Sequence, residues 1–282
     1  MPHSHFLNIN GVNYHVTTAG EAATGTVLLL HGMPDTGRIW DQLSELLVGN
    51  GYRVVIPDML GYGRSDKPAD SDRYAGELIL GDLIELMASL DLPPCHIVGH
   101  DWGAYASWEL VSHFPDNFLR HVAISMSHPG VFFSNLSVAS LRDNWYMYLN
   151  TQEAAVDLYT MDNCAFFREF ITPTHPDLDE VCSRLSEPKA MRANLNWDRG
   201  NPLAKSYVVA QAGKLHYPSI TVPTLGLWSP GDTYLLEEHM QQSGEYVDAD
   251  WHYQRLATGS HWCMLDNPEE TNNAILDWLK RT

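Results

Sequence analysis

The five residues Gly-His-Asp-Trp-Gly at 99–103 constrain the fold of this chain more than any other stretch. They follow an apolar run at 95–98. Glycines two positions before and two after the central residue leave room for a strand to turn sharply into a helix. This turn exposes its middle side chain at the C-terminal end of the strand. That side chain is Asp101, where most such turns carry a serine.

An aspartate at this position restricts the chemistry. A serine attacks acyl carbons and leaves an ester that water hydrolyses. A carboxylate that attacked an acyl carbon would form an anhydride, so its productive targets are saturated carbons that bear a leaving group. Epoxides and alkyl halides are such targets, and each leaves an alkyl ester on the aspartate that water must then hydrolyse.

Hydrolysis of that ester needs a base and a group that orients the base. His261 lies in a glycine-flanked loop after the last predicted strand, and its usual pKa of about 6.5 suits proton transfer near neutrality. Asp232 follows the preceding strand and is the predicted partner of His261. Asp58 is a competing acid, but it precedes the nucleophile and its loop favours a structural role. The order nucleophile, acid, histidine is that of the α/β-hydrolase arrangement.

Negative charge on the reacting carboxyl group needs hydrogen-bond donors. The backbone N–H of Met33, after a strand at 27–30, is one predicted donor of an oxyanion hole. The N–H of Trp102, at the N-terminus of the helix that follows the nucleophile, is the other. The sequence leaves open whether the Met33–Pro34 bond is cis.

Apolar strands alternate with amphipathic helices over the first 129 residues, which predicts a mostly parallel sheet with helices on both faces. An Asn-Gly pair at 10–11 predicts an antiparallel N-terminal hairpin of strands 6–9 and 12–16. The other predicted strands are 27–30, 52–56, 95–98, 121–125, 221–228 and 251–256, and the predicted helices are 40–48, 77–90, 104–113 and 268–280.

The alternation stops after residue 129. Residues 130–212 favour helices and are rich in Trp, Tyr and Phe. We interpret this segment as a helical lid inserted into a core made of residues 1–129 and 213–282. The alternative is a set of packing helices with no functional role.

Composition restricts the classes of ligand and partner that we expect for this chain. Seventeen basic and 35 acidic residues give a formal net charge of −18, which disfavours nucleic acid and anionic membranes. The N-terminus lacks a signal-peptide pattern and no stretch is apolar enough to span a membrane, so we expect a cytoplasmic protein without a membrane partner. Four scattered cysteines predict reduced thiols and no metal site. The expected partners are a small-molecule substrate and water, with no cofactor, in a monomer or homodimer.

Several motifs together resemble the epoxide hydrolase and haloalkane dehalogenase branch of the α/β-hydrolases. The resemblance implies an α/β-hydrolase fold, Asp101 as nucleophile, Asp232 as acid, His261 as base, and Met33 with Trp102 as the oxyanion hole. The motifs are His-Gly-Met-Pro at 31–34, Gly-Tyr-Gly-Arg-Ser-Asp-Lys-Pro at 61–68, Gly-His-Asp-Trp-Gly at 99–103, Ser-His-Pro-Gly at 127–130, the Asp232 segment and Gly-Ser-His-Trp at 259–262.

The lid departs from that resemblance. Epoxide hydrolases of this kind resemble one another in having two lid tyrosines that protonate the epoxide oxygen. The stretch that matches one of them is Asn-Trp-Asp-Arg at 196–199, so Asp198 stands where a tyrosine is expected. This aspartate either donates a proton after burial raises its pKa, or faces solvent beside Arg199. The other donor lies among Trp145, Tyr146 and Tyr148.

These observations favour an epoxide hydrolase that converts a neutral, fairly apolar epoxide to a diol. A haloalkane dehalogenase is an alternative, with Trp102 and either Trp145 or Trp197 as halide donors. Met33 stands where many dehalogenases resemble one another in having Asn. Residues 104–109 lack the arginines that haloacetate dehalogenases use to bind the substrate carboxylate, so a haloacid substrate is not expected. A further alternative is a hydrolase or lyase of a specialised metabolite that uses the same triad.

Overall fold

A computed structural model describes residues 2–135 and 137–281 of the chain. Its central sheet has eight strands in the order β1-β2-β4-β3-β5-β6-β7-β8. β1 pairs antiparallel with β2, and β2 with β4, whereas the later neighbours are parallel. The predicted mostly parallel sheet is therefore confirmed. The strands are β1 His3–Ile9, β2 Val12–Ala19, β3 Gly25–Leu30, β4 Tyr52–Pro57, β5 Cys95–His100, β6 Phe118–Ile124, β7 Thr224–Trp228 and β8 Trp251–Arg255.

The helices of the described chain cover both faces of this sheet and fill the interval between β6 and β7. Short 3-10 turns lie at Gly37–Trp40, Ser71–Tyr74, Pro115–Asn117 and Ser243–Tyr246, and a π-helical turn lies at Phe167–Ile171. The helices are α1 Asp41–Gly49, α2 Gly76–Ser89, α3 Trp102–His113, α4 Pro129–Ser134, α5 Val138–Asp143, α6 Trp145–Asn150, α7 Ala155–Phe166, α8 Leu178–Leu185, α9 Pro188–Gly200, α10 Leu203–Gln211, α11 Glu237–Gln242, α12 Cys263–Asp266 and α13 Pro268–Leu279.

The N-terminal hairpin forms as the Asn-Gly pair predicts. Asn10 and Gly11 have φ values of 49° and 84°. A tight hairpin turn needs positive φ at both central residues, and Asn and Gly adopt it with little strain. The turn places Ile9 opposite Val12 and so sets the register of β1 on β2.

The strands at the centre of the sheet are buried on both faces. In β3, Leu28 and Leu30 point into one core and Val27 and Leu29 into the other, and all four side chains are inaccessible to solvent. Successive side chains of a strand point to opposite faces, so a strand covered on both sides must be apolar throughout. Helices α2 and α3 contribute to the first core, and α1 and α13 to the second.

Some predicted boundaries differ from the structure for local reasons. The strand predicted at 221–228 begins at Thr224, because Pro223 has no N–H to donate to a neighbouring strand. The strand predicted at 121–125 ends at Ile124, where Ser125 takes a φ of 51°. The helix predicted at 104–113 begins two residues earlier, at Trp102.

Residues 130–212, here called the helical insertion, contain most of α4 and all of α5 to α10. Several side chains of the insertion donate hydrogen bonds to backbone carbonyls of the core. The Trp197 indole N–H donates to the Leu60 carbonyl at 2.8 Å, and the Arg184 guanidinium donates to the Pro34 carbonyl at 2.9 Å. The insertion is therefore attached to the core loops that follow β3 and β4.

Of the helices that the structure describes in residues 2–135 and 137–281, none combines the length and the apolarity that crossing a membrane requires.

Candidate active site

The turn from β5 into α3 holds Asp101 in a strained conformation, with φ of 55° and ψ of −123°. A Cβ on Gly99 would lie 2.4 Å from the Gly103 carbonyl oxygen, and a Cβ on Gly103 would lie 2.1 Å from the Leu30 carbonyl oxygen. Both glycines are thus required by close backbone approach. The turn places the Asp101 carboxylate at the C-terminal edge of the sheet, as the glycine spacing predicts.

The loop after β3 packs directly against this carboxylate. The Met33 N–H donates to Asp101 Oδ1 at 2.7 Å. A Cβ on Gly32 would lie 2.1 Å from the same Oδ1 and 2.6 Å from the Trp102 nitrogen, so Gly32 keeps this corner open. Trp102 is the first residue of α3, where N–H groups have no partner within the helix. The two predicted oxyanion donors, the N–H groups of Met33 and Trp102, therefore lie beside the corner that Gly32 keeps open. The Met33–Pro34 bond, which the sequence leaves undecided, is cis.

His261 and Asp232 lie beside Asp101. His261 Nδ1 is 3.0 Å from Asp232 Oδ2, and His261 Nε2 is 3.6 Å from Asp101 Oδ2. Asp232 Oδ1 accepts the backbone N–H groups of Tyr234 and Leu235 at 2.9 and 3.1 Å. The structure thus brings together the three side chains that the sequence nominates for catalysis.

The charges of this group stabilise one another. Burial alone would lower the pKa of His261, but the Asp232 and Asp101 carboxylates outweigh burial and raise it to about 10. Burial alone would raise the pKa of Asp232, but His261 and two backbone N–H donors hold it below its usual value. In the free protein His261 is therefore an imidazolium ion between two carboxylates.

His100 supports the backbone of His261, a role that sequence reasoning missed. Its Nε2 lies 2.9 Å from the His261 carbonyl oxygen, and the Ser125 hydroxyl donates to the same oxygen at 3.3 Å. Burial lowers the pKa of His100 to about 4, so the neutral ring donates this bond near neutrality. The position of His100 directly before Asp101 was the available signal.

A cavity lies over Asp101, between the core and the helical insertion. Its walls are mainly apolar and aromatic, including Phe132, Phe133, Met147 and Trp262. Asp101 and His261 line it from the core, and Tyr146 and Asp198 line it from the insertion. A concave, mainly apolar site with a few convergent polar groups is the usual form of a small-molecule pocket.

Of the three aromatic candidates in α6, Tyr146 alone lines this cavity. Trp145 is 40% exposed and packs on the Phe166 ring. Tyr148 lies in a different depression beside Arg199. Trp197 is buried, but its indole N–H is bonded to the Leu60 carbonyl.

Asp198 is only 2% exposed, so the interpretation that it faces solvent is wrong. Its Oδ2 accepts the Asn150 side-chain amide at 2.7 Å, and its Oδ1 has no hydrogen-bond partner among the described residues. Burial, reinforced by the Asp101 charge, raises the pKa of Asp198 to about 8 despite the Asn150 bond and Arg199. The Asp198 carboxyl group is therefore mostly protonated at neutral pH.

The competing acid Asp58 organises a loop, as the sequence favours. Its carboxylate accepts the backbone N–H groups of Gly37 at 3.0 Å and Arg64 at 2.9 Å, and it lies 2.9 Å from the His15 ring. These contacts satisfy the carboxylate away from His261.

Tyr234 is a second site residue that sequence reasoning missed. Its ring packs edge-on against His261 with centroids 4.8 Å apart, and it lines the cavity. Its hydroxyl donates to the Ile171 carbonyl at 2.6 Å, which connects the core loop to the insertion. Its position two residues after Asp232 was the available signal.

Comparison with known proteins gives one consistent family. The family model described as alpha/beta hydrolase fold matches residues 25–268. Epoxide hydrolase 4 of Mus musculus is 28% identical over 96% of this chain and 77% of its own length. The AB hydrolase superfamily protein YfhM of Bacillus subtilis (strain 168) is 30% identical over 98% of this chain and 97% of its own.

Solved structures agree on the fold. An epoxide hydrolase of Bacillus megaterium, crystallised with an inhibitor, superposes with a TM-score of 0.86 at 24% sequence identity. That match covers 98% of this chain and all of the other. At this identity the likeness shows the shared architecture. The match of the family model over most of the chain establishes that this protein belongs to the α/β-hydrolase fold family.

Proposed function

We propose that this protein is an epoxide hydrolase, which converts a neutral, fairly apolar epoxide to a diol through a covalent ester on Asp101. The observation that carries the proposal is the Asp101 carboxylate at the floor of an apolar cavity, with His261 Nε2 3.6 Å away. The epoxide hydrolases among its relatives support the same activity.

In the first step Asp101 attacks a ring carbon of the epoxide. Because the Met33 N–H holds Oδ1, the atom free to attack is Oδ2. A carbon–oxygen bond forms at Oδ2 while the ring carbon–oxygen bond breaks, and the ring oxygen takes up a proton. Tyr146 donates a hydrogen bond to that oxygen in this proposal, and its position in the cavity wall on the insertion side supports the role. Burial, with Asp101 and Asp198 nearby, raises the pKa of the Tyr146 phenol well above its usual value and keeps it protonated.

In the second step a water molecule hydrolyses the ester. Esterification removes the Asp101 charge, which is one of the two that hold the proton on His261. The pKa of His261 then falls, the imidazolium releases its proton to solvent, and the neutral ring can accept a proton from water at Nε2. Attack on the ester carbon places negative charge on Oδ1, where the Met33 N–H already donates at 2.7 Å. Collapse releases the diol and restores the carboxylate.

A halide leaving group is less well supported. Haloalkane dehalogenation needs N–H donors that cradle the departing halide. The Trp197 N–H is engaged by the Leu60 carbonyl at 2.8 Å, and Trp145 is 40% exposed. Trp102 is the one indole of the three nominated that lines the cavity.

We also propose that the helical insertion at 130–212 acts as the lid over a core of residues 1–129 and 213–282. The cavity walls contributed by Phe132, Tyr146 and Asp198 support this division. Substrate and water are the proposed partners. A cytoplasmic location and a monomeric or homodimeric state remain predictions from the sequence.

The test is incubation of the purified protein with a panel of aryl and aliphatic epoxides and, separately, of haloalkanes. We expect diols from at least one epoxide, no halide release, and no diol from Asp101→Ala. Halide release from haloalkanes without diol formation from any epoxide would overturn the proposal. Asp82→Asn is the control, since Asp82 is a buried carboxylate that bonds Tyr14 and Arg73 and does not line the cavity.

A further inference from the structure

The wall of the cavity contains a buried carboxyl group from the helical insertion. The mechanism above does not use this group. Asp198 lies in α9, lines the same cavity as Asp101, and is 2% exposed. Its Oδ1 has no hydrogen-bond partner among the described residues, although a buried polar atom is normally paired. An unpaired buried oxygen on a residue that lines a substrate cavity is a candidate contact for substrate.

We propose that Asp198, in its protonated form, is the acid that delivers the proton to the epoxide oxygen as Asp101 opens the ring. This proposal rests on the proposed function and names a further catalytic residue for it. Tyr146 then positions the epoxide oxygen and Asp198 transfers the proton.

The hydrogen bonds around Asp198 favour a neutral carboxyl group with Oδ1 as the O–H donor. Asn150 donates to Oδ2 at 2.7 Å and is itself oriented by the Tyr159 hydroxyl, which donates to Asn150 Oδ1 at 2.7 Å. With Oδ2 occupied as an acceptor, the proton of the acid belongs on Oδ1. The unpaired atom is therefore the one able to donate.

The adjacent cation does not neutralise Asp198 by a direct bond. The Arg199 guanidinium donates to the backbone carbonyls of Asn150 at 3.0 Å and Gln152 at 2.8 Å. Its Nη1 also lies 3.8 Å from the exposed Glu153. These contacts turn Arg199 toward the surface end of α6, so it lowers the pKa of Asp198 less than burial and Asp101 raise it.

The tyrosines that face Asp198 keep their protons near pH 8. From the core, the Asp101 carboxylate faces Asp198 and raises the pKa of Asp198, and Tyr62 has a phenol pKa that burial raises far above neutrality. Those from the insertion are Tyr146 and Tyr159, whose pKa values burial also raises. Because Asp198 has a pKa of about 8, we expect a fall in the rate of ring opening above that pH to report the loss of the Asp198 proton.

The step balances in protons and charge. Asp101 Oδ2 bonds to the ring carbon, the ring oxygen leaves with the bonding electron pair, and that oxygen takes the proton from Asp198. The products are a neutral hydroxyalkyl ester and the Asp198 carboxylate. In hydrolysis His261 takes a proton from water and returns it to the leaving alkoxide. Asp101 emerges as an acid, and its proton returns to Asp198.

The experiment measures the rate of ester formation in single turnovers of styrene oxide between about pH 6 and pH 10. For the wild type we expect a constant rate below about pH 7 and a tenfold fall per pH unit well above pH 8. Asp198→Asn keeps the shape and the Asn150 contact but has no proton to transfer. We expect it to be slower by about 10²-fold or more at pH 7, with no alkaline fall up to about pH 9.

The matched control is Glu109→Gln. Glu109 is another buried carboxyl group, whose pKa burial raises to about 7 despite a hydrogen bond from Tyr217, and it does not line the cavity. We expect this control to retain the wild-type rate and its alkaline fall. Tyr146→Phe is expected to be slower but to keep the alkaline fall. An epoxide with an electron-withdrawing trifluoromethyl group needs less protonation, so Asp198→Asn should impair its opening less.

An Asp198→Asn protein that opens styrene oxide at the wild-type rate, or keeps the alkaline fall, would overturn the proposal. If the wild type forms no ester with any epoxide, the proposed function fails instead, and the two failures are thereby distinguished. Should the variant not fold, infrared spectra of Glu109→Gln provide the second measurement. As the pH is raised, the carbonyl stretching band of protonated Asp198 should disappear over the same range in which the rate of ester formation falls. The absence of this band at pH 6 would refute the assignment.

Discussion

Replacing Asp232 by Asn tests whether the carboxylate beside His261 is needed for ester hydrolysis but not for ester formation. Asp232 Oδ1 accepts two backbone N–H groups, at 2.9 and 3.1 Å, and Oδ2 faces His261 Nδ1 at 3.0 Å. An asparagine keeps its oxygen on the two backbone donors and so turns its NH2 group toward Nδ1. Nδ1 must then accept a hydrogen bond, and the ring proton moves to Nε2. In that tautomer Nε2 cannot take a proton from water.

The size of the effect follows from the pKa of His261. Asp232 and Asp101 together raise it from 6.5 to about 10. At about 1.4 kcal/mol for each pKa unit, this corresponds to about 5 kcal/mol in favour of the imidazolium ion. Esterification removes the contribution of Asp101, so Asp232 alone stabilises the imidazolium that forms during hydrolysis. Asp232 accounts for part of this stabilisation of about 5 kcal/mol, and its replacement also fixes the wrong tautomer of His261, so we expect hydrolysis to slow by about 10³ to 10⁴-fold.

Ester formation does not use His261 as a base, and we expect it to change by less than about tenfold. Asp232→Asn should therefore accumulate the alkyl ester in stoichiometric amount within the first turnover. Rapid quenching followed by mass spectrometry of the peptide that contains Asp101 measures both rates. Asp82→Asn is the control for the loss of a buried carboxylate, and it should accumulate no ester. Hydrolysis by Asp232→Asn within about threefold of the wild-type rate would refute this reasoning.

Three further outcomes are expected. His261→Gln should trap the ester on Asp101, detected as a mass increase equal to that of the epoxide, and an unmodified Asp101 peptide would contradict this. Gly32→Ala should lose at least about 10²-fold in ester formation with its circular dichroism spectrum retained, because a Cβ there would lie 2.1 Å from Asp101 Oδ1. Asp198→Asn should change how stability depends on pH. The folded wild type keeps a proton on Asp198 up to about pH 8 that the unfolded chain loses near pH 4, so its free energy of unfolding falls relative to the variant by up to about 1.4 kcal/mol per pH unit in that interval. Urea titrations at pH 5 and pH 8 measure this difference, and parallel values for the two proteins would contradict it.

The parts of the site that were predictable from the sequence depend on short-range sterics or on chain order. The turn around Asp101 needs glycines at 99 and 103 because both approach backbone oxygens closely, and that requirement lies within five residues of sequence. Asp232 and His261 were found because each follows a strand whose C-terminal end reaches the same sheet edge. Parallel strands bring such ends together whatever the details of packing.

The aromatic candidates of α6 were not resolved by the sequence, because a helix of six residues carries too little periodicity to show which face is buried. Side chains advance by about 100° per residue, so Trp145, Tyr146 and Tyr148 point in different directions. Packing of α6 against α9 and the core selects Tyr146 for the cavity. That choice depends on residues about 50 positions away, such as Asp198, which bonds Asn150 at the end of α6.

The burial of Asp198 also explains why its proton would move at the right moment under the proposed mechanism. The Asp101 carboxylate is one of the charges that raise the pKa of Asp198. As Asp101 becomes an ester that charge disappears, and the pKa of Asp198 falls while the ring oxygen becomes strongly basic. Negative charge moves from one carboxyl group to the other, so the net charge of the cavity is unchanged and no additional buried charge must be stabilised. Hydrolysis regenerates the Asp101 carboxylate, which raises the pKa of Asp198 again and draws the proton back. The two carboxyl groups thereby exchange one charge in each cycle.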